Sequence, residues 1–258
     1  MTRPGVLVVA GLDPSGGAGL IADIRVCEQL GCRPVAVVTA LTEQSTIEAR
    51  AANPVQATLL GDQLRMLLTD VEVAAVKLGM LGNEAIADEV ARALELTAAP
   101  VVWDPVLRPT RGHIALYDGD PRRAIELFRG LVALCTPNAD EAAAMIGRAI
   151  TSVEDAVAVG ALLQQRGLAA TLVKGGHWGD PAEVVDVLVT AAGHQLQAGP
   201  RIATAGPIHG TGCALSTAIA CHLALGRGLE DACRAGRAFV ADRLAAPVSP
   251  GRGRPSVM

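Results

Sequence analysis

The chain has 258 residues, of which 50% are hydrophobic and only 2% aromatic, and its formal net charge is -4. This length fits one large α/β domain, so residues 1–258 are expected to fold as a single unit with a core of Val, Leu and Ala. Its 22 basic residues are scattered rather than clustered, which removes the electrostatic footprint of a nucleic-acid binder and favours a small molecule as partner.

No secretory signal opens the chain and no apolar stretch reaches membrane-spanning length, so a cytoplasmic protein without a membrane partner is expected. The six cysteines, at 27, 32, 135, 213, 221 and 233, form no Cys-x-x-Cys pair and do not combine with the five histidines at metal-finger spacing. Free thiols are expected, five of them as small core residues.

Val6 to Ala10 reads as a buried strand ending at Gly11, and Gly17 to Gly31 as the helix after it. Val35 to Leu41 makes a second strand; a polar stretch from Thr42 to Ala52 then leads to a helix begun by Pro54, with Leu60, Leu64, Leu67 and Leu68 on one face. Strands follow at Ala74–Leu78, Val101–Trp103, Leu131–Cys135 and Ala169–Val173, alternating with helices at Ala85–Leu96, Arg122–Phe128, from Asn138, and Ser152–Arg166. This alternation predicts a mostly parallel sheet covered by helices on both faces. Val184–Val189 and His194–Gln197, joined through Ala191-Ala192-Gly193, read as an antiparallel hairpin at the sheet edge. Two helices, near Gly212–Leu225 and Leu229–Leu244, precede a Pro-, Gly-, Ser- and Arg-rich tail, about 248–258, that is expected to fray.

Ligands of open α/β sheets bind beyond the carboxyl ends of the strands. Gly11–Gly19, Thr42–Thr46, Gly79-Met80, Asp104, Asn138 and Lys174–His177 all follow predicted strands. Gly17-x-Gly19-x-x-Ala22 imitates a dinucleotide fingerprint, but Gly11-Leu12-Asp13-Pro14-Ser15-Gly16 separates it from the strand, which argues against a dehydrogenase. There is no Gly-x-x-x-x-Gly-Lys-Ser/Thr loop, so any ATP is held by other means.

The most informative stretch is His209-Gly210-Thr211-Gly212-Cys213. Its glycines admit close approach of a ligand, and the helix behind them turns its N–H groups outward as an anion hole. Cys213 stands at this helix end, which is expected to favour thiolate and lower a thiol pKa ordinarily about 8.5. A base facing a phosphate site implies phosphoryl transfer to a hydroxyl; the plainer alternative is a glycine turn with a buried cysteine. Asn138-x-x-Glu141 reads either as a helix cap alone or as a carboxylate one turn into a helix that orients magnesium-bound water. Lys174 supplies a cation at a strand end, and Asp104 an acid able to support a metal.

Together these pieces resemble the ribokinase-like superfamily and, within it, the hydroxymethylpyrimidine/phosphomethylpyrimidine kinases of thiamin biosynthesis. The resemblance runs through Ala10–Gly19, Thr39–Thr46, Val76–Gly82, Asp104-Pro105-Val106, Thr136–Ala142, Val173–His177 and His209–Cys213. It implies a three-layer ribokinase-like fold and an ATP- and magnesium-dependent homodimer. Such an enzyme phosphorylates 4-amino-5-hydroxymethyl-2-methylpyrimidine and then its monophosphate. By resemblance, Gln44 binds the pyrimidine through an amide that both donates and accepts, with Gly11, Asp23 and Met80 around the same pocket. The amides of Gly210, Gly212 and Cys213 hold the transferring phosphoryl group, and Cys213 takes or orients the hydroxyl proton. Lys174 and Thr211 contact the nucleotide, and Asn138 with Glu141 positions magnesium, Glu141 through water and Asp104 from behind.

Two stretches depart from the family pattern. Leu107–His113 brings Arg108 and Arg111, which either grip a phosphate or lie in solvent, and Ser45 stands where Asn is usual. A pyridoxal kinase and a catalytically silent vitamin-binding sensor are the competing readings.

Overall fold

A computed structural model describes residues 2–107, 114–176, 178, 181–204 and 206–258. β1 (Gly5–Leu12) is buried along nearly its whole length and leads through a glycine-rich turn to α1 (Gly19–Gln29). β2 (Arg33–Gln44) and β3 (Ala49–Pro54) form an antiparallel hairpin, followed by α2 (Ala57–Asp70) and β4 (Ala75–Leu78). The chain continues through β5 (Gly82–Asn83), α3 (Glu84–Leu94), β6 (Val101–Trp103), β7 (Tyr117–Asp118) and α4 (Pro121–Leu127). Next come β8 (Leu134–Cys135), α5 (Ala139–Ile146), α6 (Val153–Gln165), β9 (Thr171–Val173), and the hairpin of β10 (Glu183–Thr190) and β11 (Gly193–Pro200). α7 (Thr211–Ala224) and α8 (Leu229–Ala245) complete the order.

The main sheet runs β11-β10-β9-β8-β6-β4-β1-β2-β3, and β5 pairs with β7 separately. From β2 to β9 the neighbours are parallel, whereas β3 and the β10/β11 hairpin are antiparallel at the two edges. Alternation along β1 builds both faces. Leu7 and Val9 join Leu60, Ile86, Phe128, Met145 and Leu163 of the α2–α6 layer, while Val6, Val8 and Ala10 join Cys27, Leu215, Ile219 and Cys233 of the α1, α7 and α8 layer. The three layers and the edge hairpin therefore match the ribokinase-like expectation. All cysteines are free; 27, 32, 135, 221 and 233 are buried, and Cys213 is partly accessible.

α7 is buried on every side from Ala214 to His222, packed between α1, α8 and the sheet. Such a helix is held by its surroundings rather than by an amphipathic stripe, so the position of its first turn is set by the core.

Two expectations are corrected. Pro54 does not begin a helix: it pairs with Ala40 at the end of β3, an edge position where its missing N–H costs no ladder bond. The polar stretch from Thr42 to Ala52 thus belongs to a hairpin that carries Gln44 to the end of β2. Nor does the tail fray. Ser256 exchanges backbone bonds with Val248 at 2.7 and 2.8 Å, His209 N–H donates to Pro255 O at 2.9 Å, and Val257 and Met258 are buried against Ala22, Val26, Ala214 and Phe239. Composition pointed to loose chain, but two terminal apolar residues and this pairing outweigh it.

Candidate active site

Gly210 has φ 83°, and a Cβ there would lie 2.0 Å from Gly17 O, so only glycine lets the turn before α7 lie on the β1–α1 turn. The helix has no side-chain cap. Its earliest inward amide is that of Ala214, donating to Gly210 O at 2.9 Å; the N–H groups of Thr211, Gly212 and Cys213 meet no acceptor among the described residues. They are the open donors of a helix N-terminus.

Beside them stands a chain of charge. A Cβ on Gly212 would be 3.3 Å from Lys174 Nζ and 3.6 Å from Asp104 Oδ2. Lys174 Nζ donates to Asp104 Oδ1 at 2.7 Å and lies 3.8 Å from Glu141 Oε2. Asp104 also accepts from the Thr136 hydroxyl at 3.3 Å, and its own N–H bonds Leu78 O at 2.8 Å, which fixes it to the sheet. Asp104 and Glu141 keep Lys174 charged, raising it above the usual lysine range despite burial. Burial pushes the Glu141 carboxyl up to about 7 against the pull of the Lys174 ammonium. The cap reading of Asn138 and Glu141 holds: they form a reciprocal capping box, at 2.8 and 2.9 Å, that leaves the same carboxylate beside Lys174.

Cys213 sits in the first turn of α7, but its expected thiolate is overturned. Burial pushes the thiol up to about 11; Lys77 and the Gly19 amide pull it down, while Asp23 and Asp104 add to the rise. Desolvation outweighs the helix end, so the group is a neutral thiol at physiological pH.

Asp23, expected among the substrate contacts, lies beneath the site instead. It is fully buried, with Oδ2 2.6 Å from Lys77 Nζ and Oδ1 accepting from the Thr217 hydroxyl at 2.7 Å. It ties α1 to β4 and α7 and leaves no oxygen for a ligand. Lys77 was overlooked as a functional residue; a lysine inside the apolar run Ala75-Val76-Lys77-Leu78 was the available signal.

On the opposite flank, Gly11 closes against Met80, where a Cβ would come within 2.5 Å of Met80 Cε. Met80 forms an apolar wall with Ala40 and Leu116. The Gln44 amide lies 3.0 Å from His209 Nε2, which lies 3.0 Å from Asp13 Oδ2. His209 and Asp13 both lie inside motifs read from the sequence, but neither side chain was given a role there. Ser45, the departure beside Gln44, accepts N–H bonds from Ile47 and Glu48 and so shapes the β2/β3 turn. Residues 209–213 thus run from Gln44 at one side to Lys174 at the other. Arg108, Arg111 and His177 lie outside the described residues.

A three-layer sheet with an uncapped buried helix opening at its carboxyl edge, beside a lysine, defines a small-molecule kinase of the ribokinase-like kind. Residues 13–258 match the family described as Phosphomethylpyrimidine kinase, and the chain belongs to that family. It is 38% identical over 259 residues to a hydroxymethylpyrimidine/phosphomethylpyrimidine kinase of Rhizobium meliloti (strain 1021), covering 96% of this chain and 94% of that protein. The crystal structure of a phosphomethylpyrimidine kinase from Clostridium difficile 630 superposes with TM-score 0.81 at 29% identity, covering 93% of this chain and 99% of the other. The pyridoxal kinase from Staphylococcus aureus in complex with AMP-PCP shares the fold, with TM-score 0.89 at 24% identity over 99% of this chain and 93% of that one.

Proposed function

We propose that this chain phosphorylates 4-amino-5-hydroxymethyl-2-methylpyrimidine, and then the monophosphate, with ATP, as a kinase of thiamin biosynthesis. The observation that carries the reading is the α7 N-terminus, with open amides between the partly buried Lys174 and the Gln44 amide. Phosphoryl transfer asks the protein chiefly for positioning and charge stabilisation. In this reading the amides of Gly210, Gly212 and Cys213 receive the charge of the migrating phosphoryl group, and Lys174 and Thr211 hold the nucleotide phosphates. Gln44 reads the ring, with Gly11 and Met80 bounding it.

Cys213 enters as a thiol. It orients the hydroxymethyl oxygen rather than standing ready as a base, because at about 11 it holds its proton. The proton of the alcohol then leaves late, passing to an oxygen of the newly bonded phosphoryl group and from there to water, as expected for a loose transition state with little bond formation to the nucleophile.

The donor set fits a magnesium ion held through water. No three acidic, His or Cys side chains cluster as a metal site among the described residues, but magnesium keeps several waters and needs only one or two carboxylates beside the phosphates. Glu141 Oε1 has no partner among the described residues and offers such an oxygen, with Asn138 holding its carboxylate in place. When bound, magnesium neutralises phosphate charge. Asp104 serves by fixing Lys174. In this reading the homodimer rests on the family resemblance and the cytoplasmic location on the sequence expectation; among the described residues no helix is long and apolar enough to cross a membrane.

The test follows product mass with ATP and magnesium, offering the pyrimidine alcohol and pyridoxal side by side. Addition of two phosphates to the pyrimidine is expected. Faster turnover of pyridoxal, or tight pyrimidine binding without any ATP turnover, overturns the reading.

A further inference from the structure

The phosphoryl chemistry makes no use of a polar chain on the substrate flank. Asp13, buried in the β1–α1 turn, accepts from Ser15 N–H at 2.9 Å, Ala18 N–H at 3.1 Å and His209 Nε2 at 3.0 Å. Burial pushes its carboxyl up, but the bonds from His209 and Ser15 outweigh this and hold it below the usual value. It is therefore an acceptor only, and His209 Nε2 must carry a proton.

The Gln44 amide meets that same nitrogen at 3.0 Å. With its Nε2 end there, donor faces donor. A half-turn of the amide exchanges two ends of nearly equal size and places Oε1 against the imidazole N–H, which Asp13 and Gln44 then share as a three-centre bond instead of two donors being opposed. The imidazole cannot yield instead. Its backbone is paired to Pro255 and Val257 at 2.9 and 3.2 Å, and its ring rests on Gly17, where a Cβ would be 2.7 Å from Cδ2.

We infer that His209, oriented by Asp13, is a positioning residue that locks the donor–acceptor order of the Gln44 amide and so selects an aminopyrimidine over its oxo counterpart. The inference rests on the pyrimidine alcohol being the substrate. One lone pair of Oε1 takes His209; the other faces the exocyclic amine, and Nε2 donates to the ring nitrogen. A 4-oxo ring presents the reverse pattern, a carbonyl and a ring N–H. Binding it requires the amide to turn its NH₂ onto the imidazole N–H, leaving two donors opposed in a partly buried contact.

The experiment compares 4-amino- and 4-oxo-5-hydroxymethyl-2-methylpyrimidine as acceptors for the unaltered enzyme, His209→Leu and His209→Gln. The unaltered enzyme is expected to favour the amino compound by at least about 100-fold in kcat/KM. In His209→Leu that ratio falls about tenfold, mainly through KM, as the loss of one net hydrogen bond implies. His209→Gln, whose amide nitrogen can still donate to both Asp13 and Gln44, keeps the ratio. An unchanged ratio in folded His209→Leu overturns the inference. Imidazole ¹⁵N NMR of the unaltered protein tests the lock without any variant: a proton on Nε2 supports it, and a neutral ring with bare Nε2 overturns it. If the unaltered enzyme does not turn over the amino alcohol at all, the functional reading fails and the selectivity falls with it, while the NMR result still reports on the lock.

Discussion

The two flanks of the α7 N-terminus hold their polar groups by different means. On the Lys174 flank the groups are charged and rise from strand ends: Asp104 follows β6, Lys174 follows β9, and their pairing is anchored by sheet bonds. On the Gln44 flank the ring-reading group is an uncharged amide at the end of β2, held by a histidine and a buried aspartate on turns and by the paired tail. Phosphate charge is felt at a distance and tolerates small errors of angle, so fixed ions serve it. Recognition of a ring edge is directional, and a flank that reads it must fix which atom donates.

Lys77 lies under both flanks and offers the largest way to break the contrast. Lys77→Met leaves Asp23 buried and unpaired, at a cost of about 3–5 kcal/mol. A fall in Tm of roughly 10 °C or more is expected from thermal unfolding, and adding Asp23→Leu should restore most of it. The sign of the pH dependence is fixed as well. Pairing raises the folded lysine above its ordinary 10.5, so its stabilisation is complete below that value and is lost only as pH rises through the higher folded one. Unfolding curves of the unaltered protein and of Lys77→Met/Asp23→Leu should therefore keep a constant separation between pH 7 and 9, whereas Lys77→Met alone should fall further behind as pH rises, because burial raises its unpaired Asp23 carboxyl, which must take up a proton on folding.

Lys174→Met acts on one flank only. Turnover should fall about 10²–10³-fold, the loss typical of one group that stabilises transition-state charge. The half-saturating ATP concentration should rise while that for the pyrimidine stays nearly fixed. Steady-state kinetics with each substrate varied in turn would show this, and an equal rise in both constants would erase the division between flanks.

The Lys174 flank was the more legible in sequence. Asp104, Asn138 and Lys174 each follow an apolar strand, so the strand-end rule gathers them to one edge, with Glu141 one turn into the helix that Asn138 caps. The Gln44 flank was less so, because its geometry depends on contacts distant in sequence: Thr46 meets the backbone of Gly253 and Arg254, and His209 meets Pro255. No local pattern announces such pairing, and the tail's composition argued against it. The thiol of Cys213 was misjudged for a related reason. A helix end can be read from the glycines before it, but the desolvation that outweighs it comes from α1 and the sheet packed around α7.

Gln44→Ala should raise KM for the pyrimidine by about 10–100-fold, as loss of two hydrogen bonds worth about 1 kcal/mol each implies. The change in kcat should be smaller, since Gln44 contacts the ring and not the reacting oxygen. Isothermal titration of the pyrimidine would measure the same loss directly, and unchanged affinity would remove Gln44 from the reading.

Cys213 stands where the flanks meet, and its variant carries the smallest and sharpest effect. A general base is worth about 10²–10⁴-fold, whereas a neutral thiol that only orients the alcohol contributes about one hydrogen bond, near 1 kcal/mol or roughly fivefold in rate. Cys213→Ala should therefore lose roughly fivefold in kcat. The pH profile separates the cases further. If thiolate were required, a group at about 11 would make the rate climb tenfold per pH unit through the neutral range, and that climb would vanish in Cys213→Ala. The orienting role predicts no such climb in either protein, because the proton stays on sulfur while the phosphoryl group moves and the amides of α7 bear the developing charge.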